Sequence, residues 1–75
     1  MSNFVICINN GDNPASLIIG KVYRTVPDAE AESHNMLRVV DEDRSETEGY
    51  LYPASMFVPI ELPDVAERAL LATGA

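Results

Sequence analysis

A single cysteine, Cys7, leaves this 75-residue chain no internal disulfide, and a lone thiol fits a reducing compartment. Histidine also occurs once, as His34, and no Cys-His-Asp or Ser-His-Asp constellation is evident around it. A glycine-rich phosphate loop, zinc-ligand spacing and a dinucleotide fingerprint are all missing. No enzyme activity, cofactor or metal is therefore expected. Positive charge is scarce as well, with five Lys or Arg against twelve Asp or Glu and a net charge of −7. Nucleic-acid binding relies on basic side chains displacing counterions, so direct nucleic-acid binding is disfavoured, and so is an anionic membrane surface. No run approaches the roughly 20 apolar residues of a membrane span. The start, Met1 to Ile8, has no basic residue ahead of an apolar run shorter than a signal-peptide core of about 7–15 residues. The expectation is a cytoplasmic, untethered protein.

What is present is a short chain with one modest core. A domain of this size buries roughly 60% of the surface its unfolded chain exposes, and such a core supplies only about 3–5 kcal/mol. The acidity is concentrated. Asp28, Glu30, Glu32, Asp41, Glu42, Asp43, Glu46 and Glu48 face only Arg38 and Arg44, which gives residues 28–48 a net −6. Asp41, Asp43 and Ser45 alternate like the opening of a calcium loop. Glu46 stands where that loop needs glycine and Tyr52 where it needs a bidentate glutamate, so no specific calcium site is expected.

Phe4 to Ile8 is an apolar, β-branched run stopped by the turn formers Asn9 to Pro14, and reads as a first strand and an exposed loop. Val22 to Val26 is a second strand, with Tyr23 and Thr25 on one face and Val22, Arg24 and Val26 on the other. Asp28 offers an N-cap to a helical stretch of one or two turns ending near Ser33. Met36 to Val40 is a third strand, and the charged run Asp41 to Gly49 a solvated hairpin loop. Tyr50 to Tyr52 is a fourth strand, with its tyrosines on one face and Leu51 on the other. After a turn at Pro53 to Met56, Phe57 to Leu62 forms the fifth, an edge because Pro59 cannot donate a ladder bond. Asp64 can cap a helix from Val65 to Ala72, whose apolar stripe is Val65, Ala66, Ala69 and Leu70. Five short strands and a terminal helix predict a small antiparallel barrel over residues 1–62, with residues 63–75 packed on it or on a partner. The alternative is an open antiparallel sheet with the helix packed across it.

With these segments placed, Leu17 to Tyr23 resembles the turn and Gly-Lys step that introduce the second strand of SH3-like barrels. Gly49 to Val58 resembles their closing segment, in which a proline precedes a helical turn, an aromatic and a last strand. The order of Cys7 to Asn10, Gly20 to Tyr23, Arg38 to Glu42 and Tyr50 to Phe57 is similar to that in a group of small uncharacterised bacterial and phage proteins of this fold. The resemblance implies a five-stranded SH3-like β-barrel with a short C-terminal helix, and it brings no established activity. Peptide-binding SH3 domains read proline-rich ligands with a tryptophan beside paired tyrosines, whereas this chain has no tryptophan.

The expected function is a non-catalytic protein-interaction module whose partner surface includes Tyr23, Tyr50, Tyr52, Pro53 and Phe57. Rings of this kind serve core and interface alike. Two further readings are an acidic inhibitor or nucleic-acid mimic, from the −6 segment, and an accessory or self-assembling subunit. The second would pair as a homodimer through Val65, Ala66, Ala69 and Leu70. Cys7 and His34 are expected to be a core residue and a solvated one.

Overall fold

A computed structural model describes residues 3–43 and 45–72. Five strands, β1 (Phe4–Cys7), β2 (Val22–Val26), β3 (Met36–Val40), β4 (Tyr50–Pro53) and β5 (Phe57–Ile60), form one antiparallel sheet in the order β4-β3-β2-β1-β5. Two helices, α1 (Ala29–Ser33) and α2 (Asp64–Ala72), and a 3-10 turn at Ala54–Met56 complete the chain. Among the described residues, no helix is long and apolar enough to cross a membrane.

Local chemistry explains the boundaries. Just past Cys7 the Ile8 N–H donates to the Met56 carbonyl at 2.9 Å, which carries the β1–β5 register one residue further before the chain turns. The loop that follows is tied by side chains. Gly11 N–H donates to Asn9 Oδ1 at 2.8 Å and Asp12 N–H to Asn10 Oδ1 at 3.1 Å, the short-range bonding that makes asparagine a turn former. α1 begins where Asp28 Oδ1 accepts from Ala31 N–H at 3.0 Å, as its sequence position promised. α2 differs slightly from expectation. Asp64 is its first helical residue, and the Glu67 N–H bonds back to the Pro63 carbonyl at 3.0 Å. β5 is two residues shorter than expected, ending at Ile60.

The inner face of the sheet holds the core. Val5, Cys7, Tyr23, Val39 and Phe57 are buried there, joined by Leu17 from the loop, with Leu37, Tyr52 and Met56 packed against them. Registers such as Val5 opposite both Tyr23 and Pro59, and Leu37 opposite Tyr52, place these residues on one side by the period of two. On the other side, Phe4 and Val40 are buried on either side of Arg24 in a single cross-strand row. α2 has no fully buried residue. Ala66 and Leu70 are half-buried, whereas Ala69 is exposed and Val65 is 78% exposed, so half of the expected stripe faces solvent.

The sheet is curled but not closed. β4 and β5 lie at opposite ends of the strand order, and four spacings of about 4.8 Å would put the edges of a flat sheet roughly 19 Å apart. Only Ala54–Met56 link the two strands, and three residues of 3-10 helix rise about 6 Å. The connection therefore rolls the sheet until its edges face each other. No ladder joins them, and each edge strand contains a proline, Pro53 or Pro59, without an N–H to donate. The five strands, their antiparallel pairing and the C-terminal helix agree with the sequence reading, and the sheet itself is the open one.

Candidate functional site

The five residues singled out as a partner surface divide between core and exterior. Tyr23 and Phe57 are buried. Tyr52 is half-buried, and Pro53 and Tyr50 are exposed. Tyr52 and Phe57 meet edge-on with ring centroids 5.9 Å apart. Leu51, opposite in parity to the tyrosines, is 48% exposed.

Tyr23 organises the site from beneath. Its hydroxyl accepts from Ile18 N–H at 2.8 Å and donates to Glu42 Oε2 at 2.6 Å, and Lys21 Nζ reaches the same oxygen at 2.6 Å while lying 5.4 Å from the centre of the Tyr23 ring. Glu42 N–H also donates to the Ser16 carbonyl at 2.9 Å. One phenol and one carboxylate thus stitch the 8–21 loop to the acidic loop after β3. Burial, followed by the hydrogen bond to Glu42, pushes the Tyr23 hydroxyl well above the ordinary tyrosine range.

Above it, two tyrosines two residues apart on β4 face two aspartates two residues apart in the loop. Tyr52 Oη donates to Asp41 Oδ2, and Asp41 is the one buried charged residue among those described. Asp41 Oδ1 accepts from Asp43 N–H at 2.9 Å. Burial and then the Asp41 hydrogen bond raise the Tyr52 hydroxyl to about 12. Tyr50 Oη donates to Asp43 Oδ2 at 2.9 Å, and Asp43 Oδ1 accepts from Ser45 Oγ at 2.5 Å and Ser45 N–H at 3.1 Å. The Ser45 hydroxyl first, then Tyr50, hold the Asp43 carboxyl below its usual value; the same bond to Asp43 raises Tyr50. The alternation of Asp41, Asp43 and Ser45 serves these bonds. Among the described residues, no three His, Cys, Asp or Glu side chains converge to hold a metal ion.

Ser16, Asp41, Asp43, Tyr50, Leu51 and Tyr52 line an open cleft of about 360 Å³. On the far side of Leu51 a second hollow of about 260 Å³ has Ala31, Met36 and Leu51 as its apolar lining and Asp28, Glu30, His34 and Arg38 as its polar one. Asp28 is held by Arg38 Nε at 2.9 Å, and the Ala31 N–H cap, followed by Arg38, lowers its carboxyl below the usual range. His34 is an exposed residue that ends α1, and Cys7 is buried with its Sγ 3.4 Å from the Asn9 carbonyl.

Leu51, Ser16 and the two aspartates are not among the residues expected in the partner surface; in sequence the aspartates read only as part of the acidic segment and as an incomplete calcium loop. The matching spacing of Asp-x-Asp and Tyr-x-Tyr across one hairpin was the available signal for the aspartates. Ser16 had none, because it arrives through a loop. Comparison of the chain with protein-family models, curated proteins and solved structures finds no match.

Proposed function

We propose that this chain is a non-catalytic protein-interaction module on an SH3-like barrel frame, and that its partner lies along β4 in the cleft beside Tyr50, Leu51 and Tyr52. The observation that carries the reading is the exposed Tyr50–Leu51 pair on an edge strand, with the Tyr50 and Tyr52 hydroxyls already held by aspartates. Preorganised aromatic groups lose little entropy on binding. The frame is supported by the strand order, the curl of the sheet and the 3-10 turn between β4 and β5. The buried free thiol of Cys7 suits a cytoplasmic setting.

Of the two carboxylates that line the cleft, Asp43 is exposed, and it favours a basic partner segment. The mimic reading is less well supported. Asp28 is bonded to Arg38, Glu42 to Lys21, and Asp41 is buried, so these three carboxylates do not form a free phosphate-like row.

The test is affinity capture from native lysate with the immobilised chain, run beside a folded Tyr50→Ala, Leu51→Ala variant. A specific protein held by the wild type, lost by the variant and weakened by salt is the expected result. Equal capture by both would defeat the assignment of the surface.

A further inference from the structure

We infer that Asn10 is a site of spontaneous deamidation that the fold holds in check, so that opening of the 8–21 loop converts it irreversibly. The chemistry is intramolecular. The backbone nitrogen of the residue after an asparagine attacks the side-chain Cγ and forms a C–N bond. The Cγ–Nδ2 bond breaks, Nδ2 leaves as ammonia with the proton that the backbone N–H gives up, and water then opens the resulting succinimide to aspartate or isoaspartate. Glycine is the least hindered follower because it has no Cβ, and proline has no N–H to lose. The asparagines of the chain are Asn3, Asn9, Asn10, Asn13 and Asn35, followed by Phe4, Asn10, Gly11, Pro14 and Met36. Only Asn10 precedes a glycine.

In the folded chain both reacting partners are engaged. Asn10 is half-buried, its Oδ1 accepts from Asp12 N–H at 3.1 Å, and its Nδ2 donates to the Leu17 carbonyl at 3.4 Å. Gly11 N–H, the group that must lose its proton, donates to Asn9 Oδ1 at 2.8 Å. The loop carrying them is anchored by fully buried Leu17 and by Ile18 N–H on the Tyr23 hydroxyl. Attack requires these bonds to break together, so the folded rate is set by how often the loop opens. Conversion also changes what the loop can re-form. A carboxylate at position 10 has no N–H for the Leu17 carbonyl, and isoaspartate adds a methylene to the backbone in the turn.

The experiment incubates the full-length chain at mildly alkaline pH, folded and in urea, and maps aspartate and isoaspartate by mass spectrometry of peptides. Asn10 is expected to convert in urea ahead of the other asparagines and about tenfold or more slowly when folded, in proportion to the open fraction. Equal rates in the two states, or preferential conversion elsewhere, would overturn the inference. Tyr23→Phe, checked for folding by circular dichroism, is expected to move the folded rate toward the urea rate. A wild-type rate in that variant would show that the loop anchor is not the gate. Should Tyr23→Phe not fold, Lys21→Ala loosens the same network from the surface and is judged by the same criterion.

Discussion

The ring of Tyr52 on β4 packs edge-on against the ring of Phe57 on β5, although their strands are the first and last in the order of the sheet. The contact lies where the curled edges approach, and Phe57 belongs to the buried cluster while Tyr52 borders it. Truncating a buried phenylalanine costs about 3–5 kcal/mol, which equals the stability a core of this size supplies. Phe57→Ala is therefore expected to give an unfolded chain by circular dichroism. Leu51→Ala should stay within about 0.5 kcal/mol of wild type in urea titration, which makes it the better probe of the surface.

Tyr52→Phe and Tyr50→Phe remove similar hydroxyls with different results. The first takes a donor from buried Asp41, and a buried carboxylate left short of a partner costs about 1–3 kcal/mol. The second frees an exposed bond to Asp43 and is expected to shift the urea midpoint less. Equal shifts would mean that the burial of Asp41 has no energetic weight.

All three tyrosines hold their protons above the ordinary value of 10.0. A raised folded value means that the stabilisation is complete below pH 10 and is lost as pH climbs through the folded value, about 12 for Tyr52. Spectrophotometric titration should show little phenolate near pH 10 and then a rise joined to unfolding. Asp28 and Asp43 act in the opposite sense. Their carboxyls are lowered from 3.8, so their contribution is present above that pH and fades as pH falls through their folded values. A chain that loses stability in acid only well above pH 4 would contradict this.

Gly49 enters β4 at φ +76°, and a Cβ there would lie 2.6 Å from the Val39 carbonyl oxygen. Gly49→Ala combines left-handed strain with a backbone clash and is expected to cost about 1–3 kcal/mol or more. Gly20→Ala, at φ +87° with nothing near the added carbon, should cost less in the same urea titration.

The strands were legible because each apolar run is bounded by turn formers. The Asn9–Pro14 cluster, Pro27 with Asp28, and Gly49 mark ends that fall within a residue or two of the observed ones. Within a strand, alternation separated the two tyrosines of β4 from Leu51, but it could not say which face was the core. Tertiary packing makes that choice, with Leu17 brought in by the loop to join Val39 and Cys7 in the buried cluster. The site was half legible for the same reason. Tyr23 and Phe57 look like Tyr50 in sequence, and only packing buries the first two. Nor does any local pattern announce the bond between Glu42 and Tyr23, nineteen residues apart.

The prolines of β4 and β5 also bear on how copies of this chain meet. An unpaired strand edge is a template on which another molecule can extend the sheet, and repetition of that step builds fibrils. With Pro53 on one rim and Pro59 on the other, each rim lacks a donor that continuous stacking would require. The residues that leave each rim a donor short thus disfavour extension of the sheet by neighbouring molecules.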